Sequence, residues 1–230
     1  MDTPLVRPRR IWLMLVVAVV AGAVMAAPYA SLDPAAGRIA VEGPLHHRLL
    51  IAHIATATVA LVLGPLQFVP ALRARRRWHR GIGCTYLAAG VLPSAVVAVP
   101  VALLSDSLVS RVGLVVVAAG WLGTAVAALR AIRAGDVAAH RAWMTRNYAL
   151  TFLAVTARIV VPLLLLVGLL SGAIAPAEMP TAVASLIPAG QIAGCAINLA
   201  VAEVVLRRAR RGPTGSGPRR AAQAPAPAPR

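Results

Sequence analysis

Long apolar runs alternate with short basic segments along this chain of 230 residues. Six runs stand out, at roughly 11–30, 47–69, 82–104, 111–130, 147–170 and 183–206. Each is close to the ~20 residues that a helix needs to cross a hydrocarbon core about 30 Å thick. Inside such a core every backbone N–H and C=O must find its partner within the protein, which favours helices. The pattern therefore predicts an all-α fold, a polytopic transmembrane bundle of six spans over residues 1–206. Pro93, Pro100, Pro162 and Pro188 lie in or near these spans. Membrane helices accept proline where neighbours satisfy the freed carbonyls.

Composition agrees. Hydrophobic residues make up 59% of the chain and charged ones 13%, with a mean hydropathy of +0.78. Soluble domains carry about 25% charged residues. The formal net charge of +16 could point to nucleic acid. Its placement argues otherwise. All 23 basic residues other than His are arginines, and they cluster between the apolar runs.

Arg7, Arg9 and Arg10 precede the first run. Arg73, Arg75, Arg76, Arg77 and Arg80 fill the second connection, and Arg130, Arg133, Arg141 and Arg146 the fourth. Arg207, Arg208, Arg210, Arg211, Arg219, Arg220 and Arg230 follow the last run. Only Arg38, Arg48 and Arg111 fall on the other side, with Arg158 inside a span. Basic loops stay cytoplasmic, so N-in/C-in is expected in a bacterial inner membrane. Six spans are the even number that this demands. Arg9-Arg10, an apolar stretch and Val24-Met25-Ala26 also resemble a signal peptide with its cleavage site. The apolar core is long for that, so an uncleaved first helix is expected.

Residues 207–230 are rich in Arg, Pro, Ala and Gly without apolar periodicity, which reads as a disordered tail. With the Arg-rich loops it would attract anionic lipid headgroups. Cys84 and Cys195 have no CxxC spacing and read as small packing residues.

Polar groups within spans are costly, so each is a candidate for function. On the second run His53, Ala57, Ala60, Gly64 and Gln67 fall within about 40° around a helix at ~100° per residue. That small-residue face should look into the bundle. His53 is either a ligand site or a neutral imidazole bonded to another helix. His79, in Trp78-His79-Arg80-Gly81, and His140, in His140-Arg141-Ala142-Trp143-Met144, sit before the third and fifth runs. Two imidazoles on different helices suit the axial positions of a haem iron or another metal. The alternative is contact with lipid phosphates, with the tryptophans as interfacial anchors. Asp136 after Gly135 predicts an N-cap ahead of His140. His46 and His47 read as an interfacial pair. Arg158, sharing a face with Asn147 and Thr151, falls near mid-membrane, where a guanidinium costs about 3 kcal/mol or more. Gln191, Cys195 and Asn198 form a stripe on the sixth run. Glu203 could pair with Arg207, with the basic loops, or with His79 or His140. The expected polar interior is thus Gln67, Arg158, Gln191, Asn198 and Glu203. No P-loop, G-x-S-x-G, H-E-x-x-H or acidic cluster occurs.

The string Gly64-Pro65-Leu66-Gln67-Phe68 after His53, then His79-Arg80-Gly81-Ile82-Gly83 with Tyr86, is followed by His140-Arg141-Ala142-Trp143-Met144-Thr145-Arg146-Asn147-Tyr148 running on to Arg158, and by Asn198 through Glu203. Together, over residues 47–206, these resemble a bacterial family of multi-pass membrane proteins catalogued as domain of unknown function 2306. Asn147 stands where the family pattern has Ser. The resemblance implies the membrane bundle and highlights His53, His79, His140, Arg158 and Glu203, without implying an activity.

Three functions remain open on these grounds. One is binding of haem b or another redox cofactor by His79 and His140, with His53 as a further candidate. A second is non-enzymatic binding or transport of a small molecule or lipid through a cavity lined by Arg158, His53 and Gln191. A third is a structural or assembly role in a membrane complex. Self-contained enzymatic chemistry ranks behind all three.

Overall fold

The computed structural model describes residues 7–37, 41, 43–104 and 108–211. Nine α-helices form among them: α1 Pro8–Ala26, α2 Pro44–Leu66, α3 Pro70–Ala74, α4 Arg76–Thr85, α5 Leu92–Leu103, α6 Leu108–Arg133, α7 Val137–Thr151, α8 Leu153–Leu170 and α9 Met179–Arg210. No strand occurs among the described residues. Six helical segments are long and apolar enough to cross a membrane: Pro8–Tyr29, Pro44–Leu66, Arg76–Leu103, Leu108–Arg133, Leu153–Leu170 and Pro176–Arg210. Each expected run has its helix. The last helix continues through Arg210, past the boundary expected at 206, and the rest of the expected tail, residues 212–230, lies outside the described residues.

Two spans are not single regular helices. Between α4 and α5 the chain makes a π turn over Tyr86–Val91. Pro93 follows it and has no N–H to give to the carbonyl of Ala89. The wider π turn makes room for the proline ring, a common reason for such bulges. The fifth span, expected as one run over 147–170, divides at Phe152 into α7 and α8. Thr151 Oγ1 donates back to the Asn147 carbonyl at 3.1 Å, a bond that bends helices. Asn198 of α9 donates through Nδ2 to the Ala149 carbonyl beside the break, at 3.0 Å, and accepts from Thr156 Oγ1 at 2.8 Å.

The polarity of the bundle is reversed relative to a soluble protein. Val16, Val20, Val116, Leu166, Val167, Ile192 and Val201 are exposed. Ser94 and Asn147 are completely buried. Lipid accepts the apolar exterior and offers polar groups nothing, so polar groups turn inward. Helix α2 packs on α1, α5 and the π turn, α6 on α5 and α7, and α9 on α8 and α7. The small face of α2 does look inward, with Ala60 and Gly64 buried. At Gly90 a Cβ would lie 2.9 Å from the backbone of Ala60, so only glycine allows this approach.

Six crossings put the start of α1, the α2–α4 connection, the α6–α7 connection and the end of α9 at one end. Most of the arginines are there, and we call it the basic end. At the other end, His46 and His47 are buried in the protein, and His47 Nε2 lies 3.1 Å from the Leu32 carbonyl. Cys195 packs against the core, whereas Cys84 is exposed.

A candidate binding pocket at the basic end

Four chain segments converge on one pocket. The end of α2 and the residues after it supply Gly64, Gln67 and Phe68, α3 supplies Arg73, and α4 supplies His79. Helix α7 supplies His140, Arg141, Met144 and Tyr148. The local sequence explains each placement. Phe68 N donates to the Pro65 carbonyl at 3.0 Å, closing α2, and Pro70 opens α3. Gly135 takes a left-handed φ of 78° after α6, and Asp136 accepts from Ala139 N at 2.8 Å, as predicted for an N-cap. That cap places His140 one turn into α7. Its Nδ1 lies 2.9 Å from the Ala128 carbonyl. With the proton on Nδ1, this bond leaves the Nε2 lone pair free and fixes the ring's orientation.

Tyr148 forms the floor. Its hydroxyl donates to the Leu61 carbonyl at 3.1 Å, and its ring fills the notch left by Gly64. Phe68 packs on it with ring centroids 5.9 Å apart. Two side-chain nitrogens in the lining, Gln67 Nε2 and His79 Nδ1, are buried and have no hydrogen-bond partner. His79 and His140 lie within electrostatic reach of each other. The room inside is about 50 Å³. Among the described residues the lining contains no carboxylate.

The remaining candidates are dispersed. His53 sits near the middle of α2, about 20 Å from Gln67 at ~1.5 Å per residue. Its Nδ1 lies 3.0 Å from both Ser94 Oγ and the Ser94 carbonyl, so it clamps α2 to α5. Arg158 does not belong to the polar interior. It is exposed on the outside of α8, and Nη1 donates to the Ala154 carbonyl at 3.0 Å. A long side chain can return its head to the backbone or to the interface, and this one need not be buried. Gln191 is half-buried and does not line the pocket. Asn198 is a helix-break partner, as described. Glu203 pairs with Arg146 of α7, Nε to Oε1 at 2.6 Å, rather than with Arg207 or a histidine. Arg146 also lies over the Trp143 ring, 4.8 Å from its centroid.

One buried centre was not foreseen as a unit. Tyr86 donates to Asn147 Oδ1 at 2.6 Å, and its oxygen lies 2.8 Å from Thr151 Oγ1. Asn147 Nδ2 donates to the Trp121 carbonyl at 2.7 Å and to Thr124 Oγ1 at 2.8 Å. Trp121 Nε1 donates to Thr151 Oγ1 at 2.9 Å. This network joins the π turn, α6 and α7 at the middle of the bundle. The sequence signal for it is the i, i+4 pair of Asn147 and Thr151, which shares a helix face with Arg158.

Residues 50–205 match the model of a family described as Predicted membrane protein (DUF2306). The chain belongs to this family. The DUF2306 region includes the whole pocket, the buried network and the Arg146–Glu203 pair. No curated protein and no solved structure matches the chain. The family description gives a membrane location and no activity.

Proposed function

We propose that this DUF2306 protein is a membrane-embedded binding protein whose small-molecule ligand seats in the pocket between Gln67, His79 and His140. Its basic end is the cytoplasmic one, by the positive-inside rule, in a bacterial inner membrane. The observation that carries the reading is the pair of buried nitrogens, Gln67 Nε2 and His79 Nδ1, that face one cavity without a protein partner. A buried polar group left unmatched costs about 1–3 kcal/mol. Proteins keep such groups where a ligand or bridging water completes them. The helix caps and the Ala128 bond hold His140 in place beside them before any ligand arrives.

A second reading has its own support. His140 carries the orientation bond usual for a metal-ligating imidazole, and His79 shares its pocket. Haem b between the two, with Arg73 and Arg141 near its propionates, would use the same residues. The size fits poorly. Cofactor pockets run to about 300–1,000 Å³, and this one offers about 50 Å³. A macrocycle would need α3 and α4 to move away from α7.

Native mass spectrometry of the protein released from mild detergent tests the proposal. The wild type is expected to retain a bound small molecule that the His79→Ala/His140→Ala double variant loses. An unchanged adduct in the double variant would refute it. An adduct of haem mass with a Soret band would move the site to the second reading.

A further inference from the structure

We propose that the α2–α4 surface is a binding site for one anionic glycerophospholipid, with the phosphate at Arg77 and an acyl chain in the depression below it. This site shares no lining residue with the pocket and does not rest on the binding reading above. Three observations carry it.

The first is the shape. Leu63 of α2 and Arg77, Trp78, Gly81, Ile82 and Thr85 of α4 line an open depression with room of about 510 Å³. A cavity of about 150 Å³ holds benzene, so a run of methylene groups fits here. Gly81 keeps part of it open, since a Cβ there would meet no described atom within 4 Å. The wall deeper in is apolar in effect. Thr85 Oγ1 donates to the Gly81 carbonyl at 3.1 Å, which satisfies the hydroxyl within its own helix.

The second is depth. Helix α4 starts at the basic end, and Arg77 and Trp78 are exposed in its first turn. Both residue types suit the headgroup layer. Thr85 lies about 12 Å further along the helix at ~1.5 Å per residue. Half of a hydrocarbon core about 30 Å thick is about 15 Å. The depression therefore runs from headgroup depth through most of one leaflet, along the path of an acyl chain.

The third is charge. Residues 70–85 contain Arg73, Arg75, Arg76, Arg77 and Arg80 and no Asp or Glu. Arg75, Arg76, Arg77 and Arg80 are exposed. Each basic side chain at a membrane surface strengthens attraction to anionic lipid about fivefold. A zwitterionic head gains little from the same arginines.

The test titrates delipidated full-length protein in mild detergent with phosphatidylglycerol or phosphatidylcholine and counts bound lipid by native mass spectrometry. One phosphatidylglycerol is expected to bind saturably, at least fivefold tighter than phosphatidylcholine. Arg77→Gln should weaken it about fivefold. Gly81→Leu fills the depression and should abolish the first bound lipid with the thermal midpoint retained. The His79→Ala/His140→Ala variant should bind phosphatidylglycerol as the wild type does. The lipid is identified by its mass, so its loss and the loss of a pocket ligand are read separately. Equal binding of the two lipids by the wild type would overturn the anionic head. Undiminished phosphatidylglycerol binding in a folded Gly81→Leu would overturn the site. Should Gly81→Leu lower the thermal midpoint, Arg77→Gln decides, and wild-type affinity there overturns the proposal.

Discussion

Replacing Asn147 by alanine is expected to destabilise the protein by about 3 kcal/mol, more than any other single polar deletion in the bundle. The side chain is completely buried and holds Tyr86, the Trp121 carbonyl and Thr124 at once. Interhelical hydrogen bonds in membranes contribute about 0.6–2 kcal/mol each. Three of them at ~1 kcal/mol give the expected figure. Tyr86 keeps Thr151 as a partner, so its hydroxyl is not stranded. Asn147→Ser restores a donor and an acceptor at shorter reach and should recover roughly half of the loss. Unfolding in mixed micelles of rising SDS fraction measures both. A loss below about 0.5 kcal/mol for Asn147→Ala would mean that the network does not hold π turn, α6 and α7 together.

Gly64→Ala is expected to cost about 2 kcal/mol. A Cβ at this position would overlap Cε2 and Cδ2 of the Tyr148 ring. Overpacking of this kind costs about 1–3 kcal/mol or more. Alanine's better helix propensity returns ~1 kcal/mol, so the steric effect wins. The displaced ring would also lose the Leu61 carbonyl and deform the pocket floor. The control is a double-mutant cycle. In a Tyr148→Ala background the Gly64→Ala penalty should vanish or reverse, because the notch is then open. A penalty that persists there would place its cause outside the ring contact.

The architecture was legible because lipid imposes a simple rule. Twenty-residue apolar runs have few folded alternatives, and all six found helices. The inward face of α2 was legible for the same reason, since small residues recur at helical spacing. Irregularities were harder. Nothing in residues 147–170 marks Phe152 as a break, because it arises from the Thr151 back-bond and from Asn198 on another helix. The same lesson explains Arg158. Depth along a helix can be counted from the sequence, but rotation around it depends on neighbours, and α8 turns Arg158 outward. His79 and His140 were singled out together, and the structure places them in one pocket. What the sequence alone could not supply was the company they keep there, namely Gln67, Phe68, Arg73 and Tyr148, drawn from the residues after α2, from α3 and from α7.

On the proposed function, ligand binding belongs to the pocket at the basic end and not to the polar residues elsewhere in the spans. Ligand retention by native mass spectrometry, compared between His140→Ala and Arg158→Ala, tests it most directly. His140→Ala is expected to lose the adduct while Arg158→Ala keeps it at the wild-type level. Loss in Arg158→Ala with retention in His140→Ala would contradict it.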